Sequence, residues 1–131
     1  MLKFCFFIGL GLIAGVSFAK PCTITHRSCL ILKNHYSQFA KIKCNWLSEV
    51  TSKGNSQGSS QLDLAYGDGL GAPEPRELFC TLNMGQITRI FNFYNPYWGS
   101  FIEFDLFSEQ QLGVHITDGW SSKESRYSFK W

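Results

Sequence analysis

Apolar residues recur at every second position through most of this chain. A period of two, rather than the roughly 3.6 of a helix, commits the chain to half-buried strands. Ile102, Phe104 and Leu106 alternate with Glu103 and Asp105, and Leu112, Val114 and Ile116 alternate with Gly113, His115 and Thr117. The final segment repeats the pattern, with Tyr127, Phe129 and Trp131 against Arg126, Ser128 and Lys130. Upstream, Leu62, Leu64 and Tyr66 alternate with Gln61, Asp63 and Ala65, and CLILKN, FAKIKCNW, ELFCTLN and ITRIFNFYN also read as strands. Turn-forming Gly, Asn, Asp, Ser or Pro separates these segments. The pattern predicts an all-β fold of about eight short strands: a small antiparallel β-sandwich, with a closed β-barrel as the alternative that the same alternation allows.

The start of the chain is built differently. Lys3 supplies a positive charge, Phe4 to Val16 is apolar and uncharged, and Ser17-Phe18-Ala19 ends in small residues where a signal peptidase cuts. Gly9, Gly11 and Gly15 weaken a spanning helix, and no basic flank follows to stop transfer. Residues 1–19 are therefore read as a cleavable signal peptide and residues 20–131 as one exported β domain, secreted or periplasmic and not membrane-spanning after cleavage. Losing Lys3 leaves eleven of the twelve Lys and Arg against ten Asp and Glu. These basic residues are scattered, so the electrostatic footprint of a nucleic-acid partner is missing.

Cleavage also removes Cys5 and leaves Cys22, Cys29, Cys44 and Cys80. An even set in an oxidising compartment predicts disulfides. Alternation places Ile42, Cys44 and Trp46 on one face of their strand and Leu78, Cys80 and Leu82 on one face of theirs, so both thiols point inward. Cys44 is expected to pair with Cys80 across the core, and Cys22 with Cys29 around a short loop. The Cys spacing lacks any C-x-x-C pair, and His26, His35 and His115 are far apart, so neither zinc nor any other cofactor is expected.

Two connections stand out by composition. Residues 51–60, TSKGNSQGSS, read as an exposed loop, and residues 67–75, GDGLGAPEP, as a turn that runs extended into the strand carrying Cys80. Between Phe91 and Phe101, Asn95 and Pro96 mark a turn flanked by Tyr94, Tyr97 and Trp98. Rings beside an amide make a platform for a protein or carbohydrate partner, or else close the end of the core, so Tyr94, Asn95, Tyr97 and Trp98 are the candidate binding residues. The materials for catalysis are thin. His115 and Asp118 could form a dyad with Ser100, Ser121 or Ser122, yet no G-x-S-x-G context accompanies them, and Asp118-Gly119 is ordinary turn chemistry. No catalytic residue is assigned.

From LKNHYSQFAKIKCNW through RELFCTLN the chain resembles the self-incompatibility family of secreted plant proteins. The matching features are Asn34 in a first strand, Cys44 ending the next, Cys80 in a strand beyond a polar loop, and the aromatic strand FNFY after it. The resemblance covers about half of residues 20–131, and Cys22 with Cys29 replaces that family's Cys pair near the C-terminus. It implies a small secreted β-sandwich acting as a ligand for a receptor. The expected role is accordingly a protein-binding module, such as a secreted ligand, effector or inhibitor. A structural envelope or matrix component is the alternative, and a hydrolase comes behind both.

Overall fold

The computed structural model describes residues 28–61, 75–97 and 99–131. The signal segment, Cys22, the strand expected over residues 62–66, most of the Gly/Pro connection and Trp98 lie outside the described residues. Nine strands lie among the described residues: β1 (Ser28–Asn34), β2 (Ala40–Cys44), β3 (Val50–Ser52), β4 (Ser56–Gln61), β5 (Arg76–Met84), β6 (Ile87–Asn95), β7 (Ser100–Ser108), β8 (Gln111–Asp118) and β9 (Glu124–Lys130). They form a five-stranded sheet, β4-β1-β7-β8-β9, and a four-stranded sheet, β3-β2-β5-β6. The fold is the expected sandwich rather than a barrel. It is not wholly antiparallel, because β1 and β7 run parallel, with Leu32 beside Phe104.

Period-two alternation turns into burial as the sequence implied. Leu30 and Leu32 of β1, Ile102, Phe104 and Leu106 of β7, and Leu112, Val114 and Ile116 of β8 face Ile42, Leu78, Leu82, Phe91 and Phe93 of the other sheet. Aromatic edge contacts knit the layers together: Phe104 meets Phe91 at 6.2 Å and Phe93 at 6.1 Å, both edge-on. Phe129 and Tyr127 pack on the same pair from β9, with centroids 5.1 Å and 5.8 Å away.

The segment 51–60 corrects the reading from composition. It is not an exposed loop: it contains the end of β3 and most of β4. β4 holds no apolar residue, so burial does not define it; antiparallel pairing to β1, with Leu32 opposite Gly58, does. The chain changes sheets here, and two glycines permit the close approach. A Cβ on Gly58 would stand 1.7 Å from the Thr51 carbonyl oxygen, and one on Gly54 2.2 Å from that of Ser37. Asn34 ties the same corner. Its buried Nδ2 donates to the carbonyls of Gln38 at 2.8 Å and Lys53 at 3.1 Å, while its Oδ1 accepts from Tyr36 N at 2.9 Å.

Cys44 and Cys80 form the expected disulfide. They are direct partners on neighbouring strands β2 and β5, with Cα atoms 4.0 Å apart. The bridge therefore staples two strands of one sheet and does not join the sheets across the core, as the sequence had suggested. Alternation reports only that each thiol faces inward, and thiols on adjacent strands and on opposed sheets satisfy it equally. Cys29 is also disulfide-bonded; its expected partner, Cys22, lies outside the described residues.

Candidate functional site

The two outer faces of the sandwich carry different chemistry. On the four-stranded sheet the residues pointing away from the core include Phe79 on β5 and Ile90 and Tyr94 on β6, exposed by 59%, 74% and 45%. The register sets Phe79 opposite Asn92, Ile90 opposite Thr81 and Tyr94 opposite Glu77, so Phe79 is the diagonal neighbour of both apolar residues on β6. Trp46, just past the end of β2, is also exposed. A left-handed backbone, φ 71°, follows the end of β2 and turns the indole outward, where the Arg76 guanidinium lies 4.2 Å from the ring centre. Asn45 anchors the turn to β5, receiving Phe79 N on its Oδ1 at 2.9 Å and donating its own N–H to Phe79 O at 3.1 Å. The polar neighbours are bonded among themselves, Asn92 donating to Glu77 and Thr88 to Asn83.

Of the three residues proposed from sequence that are described, only Tyr94 belongs to this surface. Asn95 is buried; its Nδ2 donates to Ser100 Oγ at 3.3 Å and its Oδ1 accepts from Tyr97 N at 3.2 Å. Tyr97 is half-buried against the core, and its hydroxyl meets Ser125 Oγ at 3.0 Å. Asn95 and Tyr97 thus pin the 95–100 turn to β7 and β9, while Trp98 lies outside the described residues. Sequence reading missed Phe79 and Ile90, and it set Trp46 on the inward face with Ile42 and Cys44, where the left-handed turn after β2 breaks the alternation and leaves the indole exposed. A signal for the first two existed: in ELFCTL and ITRIFNF each is apolar at the position where alternation calls for a polar residue.

The outer face of the five-stranded sheet is mostly polar. Lys33, Glu103, Asp105, His115, Glu124 and Arg126 project from β1, β7, β8 and β9. Lys33 pairs with Glu103 at 3.4 Å, and His35 Nε2 lies 4.0 Å from Asp105. His115 Nε2 hydrogen-bonds Glu124, which also accepts from Arg126 at 3.2 Å. Glu124 is held below the usual carboxylate range, chiefly by the His115 hydrogen bond. The imagined dyad does not form: His115 engages Glu124, whereas Asp118 accepts from Ser121 Oγ at 2.8 Å and Trp120 N at 3.1 Å to shape the β8–β9 turn. Ser100 is buried on the Asn95 amide. Among the described residues no three of His, Cys, Asp and Glu converge as a metal site requires.

Asp105 is the electrostatic outlier. Burial pushes its carboxyl up to about 6, the neighbouring Glu103 carboxyl adds to the rise, and Lys33 and His35 oppose it. The folded-state value lies above the unfolded one, so the native protein binds this proton more tightly. Asp105 therefore subtracts stability above about pH 6, and the penalty disappears as pH falls toward about 4. Asp105→Asn is expected to stabilise the fold at pH 7 by about 1–2 kcal/mol, after discounting for solvent screening, with little change at pH 4. Urea unfolding of both proteins at the two pH values measures this. Equal stability at pH 7 would contradict it.

The fold and its two faces define a small cystine-stabilised β-sandwich domain. Neither a family model nor a curated protein nor a solved structure matches the chain. Among the described residues no helix is long and apolar enough to cross a membrane.

Proposed function

We propose that the protein is an exported protein-binding module whose docking surface is the outer face of the four-stranded sheet. The observation that carries this reading is the set of exposed apolar neighbours Phe79, Ile90 and Tyr94 on β5 and β6, with the exposed Trp46 just past the end of β2. Large side chains clustered on one exposed sheet face lose favourable burial unless a partner covers them, and aromatic residues dominate the centres of protein interfaces. Export is supported by the signal-like N-terminal segment and by the Cys44–Cys80 bridge, which persists in oxidising compartments. The resemblance to secreted self-incompatibility proteins points the same way, to a ligand that a receptor recognises.

The double variant Phe79→Ser/Ile90→Asp tests the reading, because both side chains are exposed and their loss leaves the core intact. In affinity capture from the native surroundings, the parent protein should retain a partner that the variant loses. Retention by both proteins overturns the proposal. So does concentration-dependent self-association of the parent on size-exclusion chromatography that the variant abolishes, since that result assigns the face to an envelope or matrix assembly.

A further inference from the structure

Gly113 makes a gap in the polar face of the five-stranded sheet. It sits in the middle of β8, opposite Asp105 of β7 on one side and Ser128 of β9 on the other. With no side chain there, a dimple of about 310 Å³ opens, rimmed by Asp105, Phe107, His115, Arg126 and Ser128. That volume is at the low end for small-ligand sites. A register shift between Leu106 and Ser108 adds Phe107 as an extra residue on β7, and its exposed ring stacks on His35 with centroids 5.6 Å apart. A bulge that re-aims a side chain at the rim of a hollow is a recurrent feature of binding surfaces.

We propose that the Gly113 dimple is a carbohydrate subsite that takes one ring of a neutral, hydroxyl-rich saccharide. Asp105 supplies an acceptor short of donors. Its side chain is only 21% exposed, His35 Nε2 stands 4.0 Å away, beyond hydrogen-bond reach, and its other neighbours are the Glu103 carboxyl and, acting through charge, Lys33. Burial raises the Asp105 carboxyl because its charge is poorly solvated, and a ligand hydroxyl donating to it relieves that cost. Across the gap Ser128 and Arg126 offer donors, so the rim presents acceptors on one side and donors on the other. Sugar hydroxyls donate and accept from adjacent carbons, which suits this arrangement, and the Phe107 ring provides an apolar edge for C–H groups. Charged ligands fit less well: an anion meets Asp105 and Glu103, and a cation meets Arg126. The larger hollow nearby, about 460 Å³, has no carboxylate in its lining, and the ring it offers is the His35 imidazole.

The site lies on the opposite face from the apolar surface, so it stands or falls independently of the docking proposal. The test is amide-resolved NMR of the oxidised protein titrated with cello-, chito-, manno- and xylo-oligosaccharides to about 10 mM, enough to saturate a site tighter than about 1 mM. The expected result is saturable shifts at Asp105, Gly113, His115 and Ser128 with at least one probe. Gly113→Ala raises the floor of the dimple, and its Cβ meets Phe107 Cε2 at 3.4 Å and Asp105 Cβ at 3.9 Å, ordinary contacts that the fold tolerates. Asp105→Asn removes the charged acceptor while keeping the shape. Each should weaken the shifts about tenfold. Silence with all four probes overturns the proposal, as do shifts unchanged in both variants or confined to the Phe79 and Ile90 face.

Discussion

Replacing Cys44 and Cys80 together by alanine is expected to lower the free energy of unfolding by about 4 kcal/mol. The bridge closes a loop between residues 36 apart in sequence, and tethering a loop of that length removes about this much conformational freedom from the unfolded chain. Domains of this size are stable by only about 5–15 kcal/mol, so the reduced protein should be marginal at body temperature. Burial adds to the effect. Both cysteines sit in the core beside Ile42, Leu78 and Leu82, and a pair of alanines there leaves unfilled volume. Because the bridge joins two strands already paired in one sheet, the variant should keep its β content while its unfolding midpoint falls. Urea titration of the parent and the double variant, monitored by circular dichroism, measures the difference. A loss below about 1 kcal/mol would show that the bridge does not restrict the unfolded chain.

Gly58→Ala should destabilise the protein by about 3 kcal/mol or more, although it adds a single methyl group to an exposed, polar strand. The added carbon would fall 1.7 Å from the Thr51 carbonyl oxygen, a collision with backbone that no rotamer change relieves. Either β4 moves off β3 or its pairing with β1 is lost, and both outcomes open the corner held by Asn34. Gly113→Ala is the matched control. It also adds a methyl group to a strand glycine, but its new carbon meets nothing closer than the edge of the Phe107 ring at 3.4 Å. Alanine suits a strand interior better than glycine, so this variant should be neutral or slightly more stable. Thermal unfolding of the two variants compares them directly. Equal melting temperatures would mean that β3 and β4 do not approach as closely as described.

The candidate surfaces were only partly legible beforehand. Tyr94 stood out because aromatic residues crowd the sequence around Asn95 and Pro96. That crowding has two physical origins, exposure for Tyr94 and structural ties for Asn95 and Tyr97, and composition does not separate them. Phe79 and Ile90 break the alternation of their strands, but an apolar residue at an outward position is common enough to pass unremarked until β5 and β6 are seen side by side. Gly113 looked like one more small residue in QLGVHIT. It gains meaning only from Asp105 and Ser128, which come to its two sides from other strands.

Alternation marked β1, β2 and β5 to β9 and most of their inward faces, because it is a local property and each of these strands must turn its apolar side from water whatever its neighbours are. It also determined that Cys44 and Cys80 face inward and are close enough in character to pair. Tertiary structure alone decided the rest: that the bridge lies within one sheet, that β1 runs parallel to β7, and that the apolar-free segment Ser56–Gln61 becomes a strand. Those outcomes depend on which strands become neighbours. Neighbours meet through backbone hydrogen bonds that every residue but proline can make in both directions, so side-chain pattern leaves no record of the choice.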